Sequence, residues 1–161
     1  MNKKLFVSLL IVLALFVAVG SVSAHRGAFV APASGDQVVP PADTRARGQA
    51  VFQLSRDGTE LSYRLIVANI ENVTMAHIHL APVGVNGPVV VWLYPDAPPP
   101  ELIEGRFSGI LAAGVITDAD LVGPLEGMTV ADLVDEIQAG NTYIHVHTLQ
   151  FPGGEIRGQI R

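Results

Sequence analysis

Apolar and polar residues alternate along most of the chain after residue 27. The clearest run is at residues 60–68, where Leu61, Tyr63, Leu65 and Val67 alternate with Ser62, Arg64, Ile66 and Ala68. Successive side chains of a β-strand point to opposite faces, so this period of two predicts a half-buried strand. The turn at 56–59 joins it to a second predicted strand at 48–55, and the two are expected to form a β-hairpin.

Further short strands are predicted between segments that are rich in glycine and proline. Those two residues interrupt regular structure and mark the turns. The additional strands are expected at residues 28–32, 74–81, 89–94, 103–112, 142–149 and 155–161. Short strands separated by turns favour an all-β fold, either an antiparallel sandwich or a barrel.

One segment has the periodicity of a helix instead. Residues 130–139 place four apolar side chains on one face: Val130, Leu133, Val134 and Ile137. Thr129 and Asp132 have the spacing of a capping box, and Gly140 is suited to end the helix. The sequence therefore predicts one short helical insertion with a structural role.

The first 24 residues have the three parts of a secretory signal peptide. Two lysines precede an apolar stretch at 5–19, and the small residues Val22 and Ala24 suit cleavage after residue 24. The alternative is an uncleaved anchor, because the apolar stretch is near the lower limit of about 17 residues for a membrane span. We expect cleavage, and hence a secreted, extracytoplasmic protein with one domain at 25–161 and no membrane contact.

Composition excludes several kinds of chemistry. The chain has no cysteine, which rules out disulfides, thiolate metal sites and cysteine nucleophiles. Both lysines lie in the signal segment and all 15 acidic residues lie outside it, so the mature chain is more acidic than the net charge of −5 of the whole chain. We therefore expect no nucleic-acid partner. The common nucleotide-binding, serine-hydrolase and zinc-protease motifs do not occur.

Four of the five histidines occur in two copies of one spacing, His77-Ile78-His79 and His145-Val146-His147. Alternate side chains of a strand lie on one face about 6 to 7 Å apart, so two such imidazoles can share a metal ion. The apolar residues between them are expected to face the core, which leaves the histidines on the outer face of the sheet. One such pair is commonly just two exposed imidazoles, whereas two pairs on strands that can be neighbours suggest a shared site.

Ligation by imidazole alone suits Cu(II) or Zn(II), and the order of intrinsic affinities favours copper. His25 is a further candidate ligand. Cleavage after Ala24 would make it the N-terminal residue, whose α-amine and ring nitrogen can together chelate copper. The alternative is that His25 is merely the residue that cleavage exposes, at a mobile terminus.

Glu155 and Arg157 carry opposite charges two residues apart on the last predicted strand. Residues with this spacing share a face, and we expect the two side chains to form an exposed ion pair. The alternative is that they orient the imidazole of a metal ligand.

Three longer runs resemble the CHRD (chordin-type) domain, which is widespread in secreted microbial proteins. The resembling residues are 75–79 with 87–90, 140–148 and 152–160. Two earlier stretches, 38–41 and 57–63, match the same pattern, so the resemblance covers nearly all of residues 28–161. It implies an immunoglobulin-like or superoxide-dismutase-like β-sandwich and a function that is mostly unassigned.

The resemblance also implies which histidines belong together. His77, His79 and His147 match positions of the family pattern, whereas the family more often has Asn at the position of His145. A site of three histidines is therefore implied, with His145 as a fourth ligand or a neighbour. The likeness to copper-zinc superoxide dismutase is weaker, because this chain lacks the cysteine pair and a recognisable zinc loop.

The leading interpretation is a secreted protein that binds one copper or zinc ion for sequestration, delivery or a redox step. The first alternative is a non-enzymatic extracellular module that binds a protein partner or matrix. The second alternative is copper-dependent superoxide or oxygen chemistry, which needs an open coordination position and a redox-active metal. We assign no catalytic residue.

Overall fold

The computed structural model describes residues 27–161, so the predicted signal peptide and His25 lie outside the described residues. The described chain forms an antiparallel sheet, which confirms the all-β fold with a short helical insertion. Its strands are β1 (Ala28–Ser34), β2 (Arg47–Leu54), β3 (Leu61–Leu80), β4 (Val89–Tyr94), β5 (Ile103–Ile116), β6 (Thr142–Thr148) and β7 (Ile156–Gln159). The helices are α1 (Val130–Gln138) and three short 3-10 helices, Gly35–Gln37, Asp118–Asp120 and Gly123–Leu125.

The strands form one hydrogen-bonded sheet that closes on itself. Their order is β2-β1-β7-β6-β3-β4, and β2 also pairs with β3, while β5 pairs with β3 alone. Closure depends on the length of β3, which has 20 residues. Its first part pairs with β2 and β5, and its last part pairs with β4 and β6.

The continuity of β3 differs from the two separate strands that the sequence predicts at 60–68 and 74–81. Between those segments, Asn69 and Asn72 both adopt a φ of 54°, in the left-handed region that asparagine tolerates better than most residues. The register with β5 shifts at both places. The two asparagines therefore mark bulges in a continuous strand, and bulges bend a strand without ending it.

The core lies on the inner face of the closed sheet. The residues between the paired histidines, Ile78 and Val146, are fully buried there, as the alternation predicts. Fully burying an aliphatic side chain of this size stabilises the fold by about 1.5 to 3 kcal/mol.

Helix α1 is capped as the sequence predicts. The backbone N–H of Thr129 donates to Asp132 Oδ2 at 2.9 Å, and the N–H of Asp132 donates to Thr129 Oγ1 at 3.3 Å. Its predicted apolar stripe joins the core. Within residues 27–161, no helix has both the length and the apolar character to cross a membrane.

Three connecting segments meet beside the histidines of β3 and β6. Residues 81–88, between β3 and β4, and 149–155, between β6 and β7, contact His79 and His147 through backbone carbonyls. Residues 38–46, before β2, are hydrogen-bonded to both of these segments. Hydrogen bonds tie two of them together: the side chain of Asn86 donates to Val39 O at 2.7 Å. These segments determine the surroundings of the histidines.

Candidate metal centre

The two histidine pairs lie on neighbouring strands. Strands β3 and β6 pair antiparallel, with His77 opposite His145 and Met75 opposite His147. The ring centroids are 5.3 Å apart for His77 and His147, and 4.6 Å apart for His145 and His147. The arrangement that the sequence left open, a single cluster built from both pairs, is therefore present.

Three of these histidines bring their nitrogens closest together. One ring nitrogen each of His77, His79 and His147 lies within 4.8 Å of the other two. A metal ion bound to imidazoles at about 2.0 to 2.1 Å holds its nitrogen ligands roughly 3.5 Å apart. Small side-chain movements of about an ångström would therefore bring the three nitrogens onto one ion.

The histidines lie on the outer face of the sheet, opposite to the core residues, as the alternation predicts. They are nevertheless buried, because their four side chains are only 3 to 8% exposed. The connecting segments explain this burial. They are rich in glycine and proline, have no regular pattern and were expected to be simple connections, yet they fold back over the sheet.

Two of the connecting segments each orient one histidine: residues 81–88 orient His79, and residues 149–155 orient His147. The Nδ1 of His79 lies 2.8 Å from Gly87 O, and the Nδ1 of His147 lies 3.0 Å from Pro152 O. A carbonyl oxygen only accepts, so Nδ1 carries the proton in both rings and Nε2 keeps its lone pair. Histidines that bind metals commonly donate their other N–H in this way.

The remaining ring nitrogens lack ordinary partners. The Nε2 atoms of His79, His145 and His147 are buried without a hydrogen-bond partner among the described residues. Both ring nitrogens of His77 are also buried and have no hydrogen-bond partner among these residues. Buried polar atoms in folded proteins are almost always paired with protein groups, water or ions, so these nitrogens are positions at which water molecules or a metal ion can bind.

Burial keeps these imidazoles neutral. Desolvation lowers the pKa of His77 to about 3, that of His79 to about 4 and that of His145 to about 2. The pKa of His147 is lowered for the same reason. Neighbouring imidazoles lower the pKa of His77 and His145 further, because two positive charges so close repel each other. Neutral imidazole is the form that binds a metal ion.

His145 belongs to the cluster but not to the closest group of three. Its ring lies against the backbone of Gly154, where a Cβ would overlap the imidazole. Gly154 also has a φ of 114°, which side-chain-bearing residues rarely adopt. A glycine is therefore required at position 154 for His145 to occupy this place, beside the three other imidazoles.

Two aromatic residues that sequence reasoning missed pack against the histidines. Trp92 of β4 stands edge-on to His77, with ring centroids 4.2 Å apart, and Tyr143 stacks on His79 at 4.9 Å. Tyr143 shares a strand face with His145, which the spacing alone could have indicated. Trp92 lies opposite His77 in the β3–β4 register, which the sequence does not reveal.

The predicted ion pair between Glu155 and Arg157 is wrong. Glu155 accepts hydrogen bonds from Thr44 at 2.6 Å and from Thr148 at 2.8 Å. Arg157 is 1% exposed and places its guanidinium 3.5 Å from the ring centroid of Tyr143. Both side chains are buried, and each one finds separate partners.

Arg157 introduces a positive charge beside the cluster. It lies opposite His145 in the β6–β7 register, and its Nη2 donates to Pro82 O at 3.0 Å and to Gln159 Oε1 at 3.4 Å. Both acceptors are uncharged. Nothing in the sequence indicates that this arginine is buried, because charged residues are mostly exposed.

His25, the candidate ligand at the predicted mature N-terminus, lies outside the described residues. The described chain begins at Gly27, whose carbonyl accepts from the N–H of Leu54 at one end of β1. The other end of β1, Ser34, pairs with Arg157 next to the cluster. Strand β1 has seven residues and a rise of about 3.3 Å per residue, so its two ends are about 20 Å apart.

The sequence model of the CHRD domain matches residues 29–160. No significant match was found among curated proteins or among solved structures. The match spans most of the chain and confirms the resemblance drawn from the histidine runs and the last strand. CHRD domains occur in extracellular proteins. The chain is a member of the CHRD-domain family.

Proposed function

We propose that this CHRD-domain protein is secreted and binds one copper or zinc ion through His77, His79 and His147, for metal sequestration, delivery or a redox step. The observation that carries the proposal is the group of three buried imidazole nitrogens within 4.8 Å of one another. His145 is the candidate for a fourth ligand, because its ring lies 4.6 Å from that of His147.

The cost of these histidines in the absence of a metal supports the proposal. A buried polar atom without a hydrogen bond costs about 1 to 3 kcal/mol, and the cluster contains several such nitrogens. A cluster that served only packing would be more stable with apolar side chains at these positions. A bound metal ion would instead satisfy one nitrogen of each ligand.

The donor set restricts the kind of metal. Ca²⁺ and Mg²⁺ require oxygen ligands, and the group of three within residues 27–161 contains only histidines. Imidazole suits zinc and copper. The hydrogen bonds from Nδ1 of His79 and His147 to the carbonyls of Gly87 and Pro152 hold the two rings in the tautomer that presents Nε2 to the ion.

A competitive metal titration of the mature chain, residues 25–161, tests the proposal. Trp92 is the only tryptophan of the chain and touches His77, so its fluorescence reports on the cluster. We expect one Cu(II) or Zn(II) ion per chain, with strong quenching by Cu(II). The variants His77→Ala and His147→Ala are expected to lose this binding.

His25→Ala is the matched control, because it removes the candidate chelate at the mature N-terminus and leaves the cluster intact. Binding that survives in His25→Ala but not in His77→Ala supports the cluster. Binding that disappears in His25→Ala alone would assign the metal to the terminus instead. Affinity no tighter than that of an exposed surface histidine would refute the proposal.

A second candidate function, a non-enzymatic module for an extracellular protein partner or matrix, is favoured by a different surface. An open groove of about 720 Å³ crosses β1, β2, β3 and β5. Three of its residues are exposed aliphatics: Val30 (42%), Val51 (38%) and Val115 (51%). Exposed apolar surface of this kind is common at interaction sites. A module of this type would keep its thermal stability in EDTA and after His77→Ala.

A further inference from the structure

We infer that the histidine cluster selects a monovalent ion, Cu(I), over the dications Zn(II) and Cu(II). The inference rests on the proposed function, because it requires that His77, His79 and His147 hold a metal ion. It concerns which ion they hold, and the charges around the cluster carry it.

The donors themselves supply no negative charge. The closest group consists of three imidazoles, and its neighbour His145 is a fourth. Within residues 27–161 no carboxylate belongs to the group. A bound ion would therefore keep its whole charge, whereas sites that include Asp or Glu neutralise part of it.

Burial penalises a dication more than a monocation. The four histidines are 3 to 8% exposed, so an ion among them is largely removed from water. The cost of moving an ion into a medium of low dielectric constant rises with the square of its charge, so it is about four times larger for a dication. The same removal from water keeps the imidazoles themselves uncharged.

Arg157 adds repulsion to this cost. The residue is 1% exposed, and its guanidinium donates hydrogen bonds to the uncharged oxygens of Pro82 and Gln159. It lies opposite His145 across β6 and β7, and its charge contributes to the lowered pKa of both His79 and His145. The repulsion between this cation and a metal ion is proportional to the charge of the ion.

Two acidic residues lie near Arg157. Glu155, two residues before it on the chain, is buried and accepts hydrogen bonds from the hydroxyls of Thr44 and Thr148. Asp36 shares a pocket of about 310 Å³ with Arg157 but is exposed, where water and salt screen it. Of these charged residues, Arg157 is the one that lies opposite His145 in the β6–β7 register.

The test compares the affinities of the mature protein for Cu(I), measured anaerobically against a Cu(I)-specific chelator, with those for Zn(II) and Cu(II). The wild-type protein is expected to bind Cu(I) at least tenfold more tightly than either dication. Tighter binding of Zn(II) or Cu(II), with the ion still held by the three histidines, would overturn this inference and leave the proposed function intact. No binding of any of the three ions would overturn both.

The substitution Arg157→Gln identifies the source of the selectivity. Because repulsion is proportional to charge, removing the cation should improve Zn(II) affinity twice as much as Cu(I) affinity on a logarithmic scale, for example about tenfold against about threefold. Arg157→Lys keeps the charge and is the matched control, in which both affinities should stay close to wild type. Equal changes for the two ions, or a loss of both, would mean that Arg157 acts only on the packing.

Discussion

The two faces of β3 and β6 are both buried, but they are buried in different ways. On the inner face, Ile78 and Val146 are fully enclosed by the apolar side chains of the closed sheet. On the other face, the histidines are enclosed by irregular segments that supply backbone carbonyls, such as those of Gly87 and Pro152. The apolar side chains of the inner face need no hydrogen-bond partners, whereas the histidine face leaves ring nitrogens without partners in the described chain.

Burial alone therefore does not identify a hydrophobic core. Apolar side chains gain free energy when they leave water, and imidazoles lose it unless a donor, an acceptor or a metal ion replaces the water. The inner face should therefore stabilise the metal-free protein, and the histidine face should be stabilised by its ligand.

The largest expected effect is on the inner face. Ile78→Ala should lower the free energy of unfolding by about 2 to 5 kcal/mol, because it leaves a cavity in a closely packed core. His77→Ala in metal-free protein should cost much less, since the ring nitrogens that it removes have no hydrogen-bond partners among the described residues. Urea denaturation of both variants measures the difference, and equal losses would mean that the two faces do not differ.

The second effect is stabilisation by metal. At a free metal concentration one hundred times the Kd, the free energy of unfolding should rise by about 2.7 kcal/mol, because the ion binds only the folded cluster. Thermal unfolding with and without EDTA measures this gain in wild type and in Ile78→Ala. Both should show the full gain, and His147→Ala should show none. A gain that persists in His147→Ala would contradict the three-histidine site.

The third effect concerns Gly154, whose backbone packs against the ring of His145. Gly154→Ala should cost about 1 to 3 kcal/mol, because the new Cβ meets the His145 ring and the φ of 114° is unfavourable for alanine. In a His145→Ala background the cost should be smaller, since only the backbone strain remains. A double-mutant cycle followed by chemical denaturation measures the coupling. Independent effects would show that the two residues do not touch.

The effect that is smallest near neutral pH is the pH dependence that His145 contributes to the stability of the metal-free protein. Its pKa is about 2 in the folded protein and near 6.5 when unfolded, so below pH 6.5 only the unfolded chain takes up a proton there. Stability should therefore be complete above that pH and decrease as the pH falls. Replacing His145 by Ala should reduce the slope by about 1.4 kcal/mol per pH unit in this range. An unchanged slope in denaturation curves between about pH 6 and pH 4 would show that His145 is not desolvated.

The alternation of residues was enough to predict most of the strands, the capped helix and the opposite placement of Ile78 and the histidines. It was also enough, with the family resemblance, to select His77, His79 and His147. These features depend on local spacing, and local spacing is visible in a sequence. The bulges at Asn69 and Asn72 interrupt that spacing, so the sequence predicts two strands where the chain forms one.

The surroundings of the cluster could not be predicted in the same way. The contact of His77 with Trp92 depends on the register between β3 and β4, and the burial of Arg157 depends on the segment that carries Pro82. Both are determined by how irregular segments fold over the sheet. Such segments have no periodic pattern, so only the folded chain reveals which carbonyls and charges they place beside the histidines.

X-ray absorption spectroscopy of the mature protein, loaded with one equivalent of copper and separately of zinc, tests whether the histidines hold the ion. We expect a first shell of three or four imidazole nitrogens at about 2.0 Å from the metal, with the outer-shell scattering typical of histidine rings. The His77→Ala variant should lose this shell. A first shell dominated by oxygen, or one with fewer than two imidazoles, would contradict the claim that the histidines of β3 and β6 hold one metal ion.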